Sequence, residues 1–160
     1  MKFIHYDTDL ILKLNPNLKI VIIDSNFILL PFQFKIDYFN EIRSILEGSL
    51  RFIIFQQILN ELESKKRRES NSINFSILLE SGLLYVENNR SKYDIQVLDD
   101  VKNKNETTDA FLLKKLLDFK DQGNIVFLAT NDSALRKKAK INHISTIFLR
   151  QKKYLSIERT

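Results

Sequence analysis

Short runs of β-branched and aromatic residues alternate along the chain with longer stretches whose apolar residues recur at helical spacing. Residues 20–23 read Ile-Val-Ile-Ile, with no polar break, which predicts a strand buried on both faces as in a parallel sheet. Residues 51–55, 83–86, 125–129 and 145–149 predict four further strands. Between the first two, Ile36, Phe39, Ile42, Ile45 and Leu46 form a helical stripe. Other helices are expected over residues 56–64, 70–81, 108–121 and 132–139, and a short one after Asn26 that ends near Pro31.

Gly48, Gly82 and Gly123 are the three glycines of the chain, and each falls between a predicted helix and a predicted strand. A left-handed residue ends a helix there at little cost. Strands alternating with helices imply a parallel sheet joined by right-handed crossovers, in one domain over residues 1–160. Residues 1–18 read as an extension in which Leu10, Ile11, Leu12 and Leu14 form a short helix or strand over part of the core. Asn15-Pro16-Asn17 breaks it off from the first strong strand. Residues 87–104 are polar and read as irregular.

Composition narrows the class. A hydrophobic share of 44% with twelve Phe is ordinary for a folded domain. No apolar run approaches the roughly 20 residues that span a bilayer, and residues 1–19 lack a signal-peptide core, so a cytoplasmic protein with no membrane association is expected. Without cysteine, disulfides, thiolate zinc sites and cysteine nucleophiles are excluded. The net charge of +5 is unevenly spread: eight of the 25 basic residues, but one of the 20 acids, lie from Ser133 onward. A second basic knot is Lys65-Lys66-Arg67-Arg68. Clusters of this kind suit a polyanion such as nucleic acid, although a cationic surface also keeps a protein in solution.

Acids that interrupt apolar logic are the candidates for chemistry. Asp24 ends the first strand, where open α/β sheets place ligands. Asp109 shares the helical stripe of Leu112, Leu113, Leu116 and Leu117. Asp132 follows the strand at 125–129 and shares a face with Leu135 and Ala139. Asp109 and Asp132 also fit the simpler role of capping a helix or answering its dipole. Glu61 and Glu63 flank Ile58, Leu59 and Leu62 on opposite sides, and periodicity does not choose between them. If the first and fourth strands are neighbours, Asp24 and Asp132 emerge side by side, and Asp109 with one glutamate closes a ring. Such a ring needs a cation, and an all-oxygen donor set favours Mg²⁺ or Mn²⁺. His5 and His143 fall outside it.

Four pieces together carry a family resemblance: Ile22-Ile23-Asp24-Ser25-Asn26, Ile58-Leu59-Asn60-Glu61-Leu62, Thr108-Asp109-Ala110-Phe111-Leu112 and Thr130-Asn131-Asp132-Ser133-Ala134-Leu135. In this order, residues 19–155 resemble the PIN-domain nucleases. The resemblance implies a three-layer α/β/α domain with a central parallel five-stranded sheet. It selects Glu61, because the family's acid precedes a Leu. It implies that Asp24, Glu61, Asp109 and Asp132 are catalytic and hold one or two Mg²⁺ or Mn²⁺ ions, with Asn26 and Thr130 orienting carboxylates or waters. The tail from Ile147 to Leu155 is similar to the branch that holds the ribosomal-RNA-processing PIN nucleases and their archaeal relatives, and more loosely to VapC toxins. The extension at 1–18 and the lead-in Asn105-Glu106-Thr107 depart from the family pattern, and Glu106 is a further acid near the ring.

The implied activity is metal-dependent endoribonuclease cleavage. Lys65, Lys66, Arg67, Arg68, Arg136, Lys137, Lys138, Arg150, Lys152 and Lys153 would grip RNA phosphates. RNA is the expected partner, with a second copy of the chain, an antitoxin or a ribosome-assembly protein as candidate protein partners. The competing readings are a VapC-type toxin, or a PIN fold that binds RNA or protein without appreciable turnover. A phosphoaspartate receiver would need an Asp after the third strand, and Leu84-Tyr85-Val86-Glu87-Asn88 offers none. A haloacid-dehalogenase-type phosphatase would need Asp at position 26, where Asn26 stands.

Overall fold

The computed structural model describes residues 5, 6 and 18–160. The extension expected over 1–18 therefore lies almost wholly outside the described residues. Strand β1 is His5–Tyr6, β2 Lys19–Ile23, β3 Leu50–Phe55, β4 Ile95–Leu98, β5 Ile125–Ala129, β6 Ser145–Arg150 and β7 Tyr154–Glu158. They lie in the order β1-β4-β3-β2-β5-β6-β7, all parallel except β7, which runs antiparallel to β6. Beyond the two-residue β1 there are thus six strands where five were expected. Val21, Ile22 and Ile23 are fully buried, as a strand at the centre of a covered parallel sheet requires.

The helices are α1 (Ser25–Ile28), α2 (Leu30–Gln33), α3 (Tyr38–Ile45), α4 (Gln56–Arg68), α5 (Ile73–Asn89), α6 (Thr108–Asp121) and α7 (Ser133–Ile141). With the sheet they make a three-layer α/β/α domain. Among the described residues no helix is long and apolar enough to cross a membrane.

One expected strand is wrong. Residues 83–86 belong to α5, whose buried positions Phe75, Leu79, Gly82 and Val86 recur at helical spacing. The misreading arises because Ile73, Ile77 and Leu84 keep the other side of this helix apolar too, which hides its period. The strand in question is β4, inside the segment read as irregular. All four of its residues are buried, including Gln96, whose Nε2 donates to Asp94 Oδ1 at 3.3 Å. The ground for setting aside a receiver domain falls with it, since Asp99 follows this strand. Topology replaces it: counted from β2, the central strand order is 3-2-1-4-5, not the 2-1-3-4-5 of receivers.

Gly82 is also reassigned. Gly123, at φ 92°, follows the C-cap Gln122 of α6 as expected, whereas Gly48, at φ 95°, stands two residues past the C-cap Leu46 of α3, in the turn into β3. Gly82 lies inside α5, where a Cβ would stand 2.2 Å from the backbone oxygen of Ile28 and 3.2 Å from its Cγ2. Its missing side chain lets α5 pack on α1, the single turn that follows Asp24.

From β2 the chain steps outward to β3 and β4, then returns across β2 to β5 and β6. That reversal puts the topological switch between β2 and β5, where a crevice opens at the carboxyl ends of the strands. β7, not foreseen in the sequence, follows a turn with Gln151 and Lys152 at φ 53° and 56°. Lys140 and Arg136 of α7 hold the Glu158 carboxyl below its usual range.

Gly82→Ala tests the close approach. Alanine improves helix propensity by up to about 1 kcal/mol, but overpacking against a backbone oxygen costs more. A net loss of up to about 2 kcal/mol is expected by chemical denaturation. Equal or greater stability would show that α1 and α5 part without cost.

Candidate active site

Asp24 leaves the sheet with its backbone still paired: its N–H donates to Ala129 O at 3.0 Å. It caps α1, Oδ1 accepting from Ser25 N at 2.8 Å. Its Oδ2 accepts from Thr130 Oγ1 at 2.7 Å and from Asn26 Nδ2 at 3.0 Å. Asp24 is 6% exposed and Thr130 fully buried, so this is a carboxylate taken out of water. Burial pushes its pKa up. The Thr130 and Ser25 hydrogen bonds pull the other way, and the charges of Glu61 and Asp109 push it further up.

The loops after β2 and β5 interlock around that carboxylate. Asn131 N donates to Asn26 Oδ1 at 2.9 Å, Asp132 N to Thr130 Oγ1 at 3.1 Å, and Leu149 N of β6 to Asn131 Oδ1 at 2.7 Å. Asn26 and Thr130 thus both donate to the same oxygen of Asp24. β2 and β5 are neighbours, with Ile23 opposite Ala129, so Asp24 and Asp132 leave the same edge of the sheet.

Each remaining acid is engaged by the protein. Asp132 caps α7, with Oδ1 accepting from Ala134 N at 2.9 Å and Leu135 N at 3.1 Å. The capping role considered for Asp109 belongs instead to Thr107, whose hydroxyl accepts from Ala110 N. Asp109 faces Lys138 Nζ at 3.3 Å from Oδ2. Glu61 accepts a hydrogen bond from the Thr108 hydroxyl, and Glu63 is exposed. Glu106 accepts from Asn103 N at 3.1 Å and closes its own loop. His143 is exposed in the turn after α7.

Among the described residues no three Asp, Glu, His or Cys side chains stand together as a ready-made metal cage. The donors nevertheless suit a hard divalent cation: they are all oxygens, and two of them raise the pKa of a third. To join Asp24 around an ion, Asp109 would have to release Lys138 and Glu61 to turn from Thr108. Thr108 and Lys138 were not read in these roles from the sequence. A threonine beside Asp109 was visible there, but its reach to Glu61 depends on how α4 and α6 meet.

The basic residues divide by partner. Arg136 reaches Glu158 at 3.3 Å and lies 3.5 Å over the Phe148 ring, while Lys138 is on Asp109. Lys66 stands 3.9 Å from Glu80, and Arg67 donates to Ser64. Lys65 lies over the Phe75 ring, and Lys137 and Arg68 are exposed. Arg150, Lys152 and Lys153 are exposed around the β6–β7 turn, at the same edge of the sheet as Asp24.

The family model of the PIN like domain matches residues 21–152. "Ribonuclease VapC4" of Methanocaldococcus jannaschii is 25% identical over 137 residues, covering 86% of this chain and 95% of its own. The solved PIN domain endonuclease Utp24 superposes with a TM-score of 0.60 at 24% identity, over 91% of this chain and 95% of that one. A domain of a functionally unknown protein from M. jannaschii superposes at 0.58 with 18% identity, over 82% and 91%. At these identities the two structures establish the fold.

The raised pKa of Asp24 has a consequence for stability. A buried acid whose folded pKa lies above its unfolded value costs stability once it ionises, and relieves that cost as pH falls through the folded pKa toward 3.8. In chelator, Asp24→Asn is therefore expected to be at least as stable as the parent at pH 7, with the advantage shrinking toward pH 4. Thermal unfolding across that range checks it. A variant less stable at pH 7 would mean that the hydrogen bonds to Asp24 outweigh its burial.

Proposed function

Since the chain belongs to the PIN-like domain family, we propose that it is a metal-dependent endoribonuclease that uses Asp24, Glu61, Asp109 and Asp132. The observation that carries this reading is the buried Asp24 carboxyl at the switch point, with Glu61 and Asp109 near enough to raise its pKa. Negative charge gathered in a crevice is costly without a cation, and RNA cleavage is a reaction that uses one. The similarity to Ribonuclease VapC4 along nearly its whole length supports RNA as the substrate.

A Mg²⁺ or Mn²⁺ ion bound by the four carboxylates would supply Lewis-acid polarisation of the phosphate and a water of lowered pKa. The chain's own part is positioning. Thr130, Asn26 and Ser25 N fix the Asp24 carboxylate, so little reorganisation is needed to present it. The α7 N-terminus holds Asp132 by one oxygen, leaving its other oxygen without a hydrogen bond among the described residues. Thr108 orients Glu61, and Lys138 balances Asp109 until substrate and ion arrive. Exposed cations at the sheet edge, Arg150, Lys152 and Lys153, and the knot at 65–68 hold flanking phosphates, which gives affinity with little sequence preference. Both ribosomal-RNA processing beside an assembly partner and toxin-type cleavage beside an antitoxin are roles for this chemistry.

Purified protein is expected to cut single-stranded RNA when Mg²⁺ or Mn²⁺ is present and to stop when it is chelated. Asp24→Asn should fall to background, and Mn²⁺ should raise the melting temperature of the parent but not of this variant. Cleavage in excess chelator, or by Asp24→Asn, contradicts the reading. Thr130→Val is expected to lose about 10–100-fold in activity, because it acts through Asp24. Its activity should recover in part at higher Mn²⁺.

A further inference from the structure

An open pocket of about 390 Å³ lies along α4, with Ser25 and Glu61 at the acidic centre and Lys65, Arg68 and Lys102 around it. Its far wall is built rather than incidental. Gln57 ties the loop after β4 to α4: its N–H donates to Asp100 O at 3.3 Å, and its Oε1 accepts from Lys102 N at 3.1 Å. Asp100 in turn meets Lys115 of α6. These contacts fix the Lys102 backbone against the first turn of α4, and its side chain lines the same pocket as Lys65 and Arg68.

The charge is lopsided, three cations to the single carboxylate of Glu61. Arg68 and Lys102 have no acidic partner among the described residues, and Lys65 lies over the Phe75 ring. The bland explanation, that cations answer the electronegative end of α4, covers Lys65 and Arg68. It does not cover Lys102, which arrives from a different element. Asn60 and Ser64 add neutral hydrogen-bonding groups to the same wall.

We propose that this pocket seats a backbone phosphate of the RNA strand next to the phosphate being cut, gripped by Lys65, Arg68 and Lys102. The proposal rests on the nuclease reading and adds a course for the strand: from the acids at the β2–β5 crevice it passes outward along α4 toward the loop after β4. Contacts to phosphate fix register and give affinity without reading bases, so the pocket contributes to binding more than to the chemical step.

The test is salt-dependent binding, in chelator, of a mixed-sequence single-stranded oligoribonucleotide carrying fluorescein, followed by anisotropy. The parent is compared with Arg68→Ala/Lys102→Ala and with Lys92→Ala/Arg159→Ala. The second pair removes the same charge from the opposite edge of the sheet, before β4 and after β7. Each phosphate neutralised on a single strand contributes about 0.7 to the slope of log K against log salt, so emptying this one-phosphate site should lower its magnitude by about 0.7. The distant pair should leave it within experimental error. In the cleavage assay the pocket pair should raise KM with kcat little changed.

An unchanged slope in the pocket pair, an equal loss in the distant pair, or no binding by the parent overturns the proposal. Arg68→Ala alone, at an exposed position, guards against misfolding and should lower the slope in the same direction by part of that amount. If the parent binds and the pocket pair loses its share, but no metal supports cleavage, the nuclease reading fails while the phosphate pocket stands.

Discussion

The hydrogen bond from Thr130 to Asp24 joins the ends of two neighbouring strands and keeps an acid in a place that burial disfavours. A carboxylate with so little contact with water persists only if the surrounding donors are fixed. Here they are fixed by the fold: β2 and β5 run in register to Ile23 and Ala129, and the chain then turns into α1 on one strand and α7 on the other. Asn26 and Asn131 lace these turns to each other and to β6. The arrangement fixes the Asp24 carboxylate at the crevice, and the proposed site is built around it.

Those acids come from α4, α6 and α7, and each is held by a protein donor that ligand binding would have to replace or share. Lys138 is the informative one. A lysine on Asp109 lowers the repulsion among carboxylates in the absence of other cations, and its exposed side chain can leave at little cost. The charge logic of the molecule thus has two zones. Cations on α7 are largely spent on Asp109, Glu158 and the Phe148 ring, while Lys65, Arg68 and Lys102 around the α4 pocket make no salt bridge among the described residues.

The sequence revealed what depends on local pattern. β2, α6 and β5 lie where unbroken β-branched runs and a clean helical stripe put them, and the switch point follows from their order. Its failures are equally physical. α5 is apolar on nearly every side, because it packs on α1 through Gly82 and also exposes Ile73, Ile77 and Leu84, so its period vanished and its end passed for a strand. β4 was hidden because a buried glutamine interrupts it and acids flank it. Gly82 looked like a helix terminator, since only the position of Ile28 shows that its role is close approach. At the site, Asp24, Asn26 and Thr130 were legible because they sit at strand ends. Thr108, Lys138 and Lys102 were not, because their roles arise where separate elements meet.

The central claim is that four carboxylates from four parts of the chain share one divalent cation, and anomalous diffraction from crystals grown with Mn²⁺ tests it most directly. The account predicts a manganese peak bounded by Asp24, Asp109 and Asp132, with Glu61 in direct or water-mediated contact and Lys138 withdrawn from Asp109. Manganese bound only at other acids, with Lys138 still on Asp109, would contradict it.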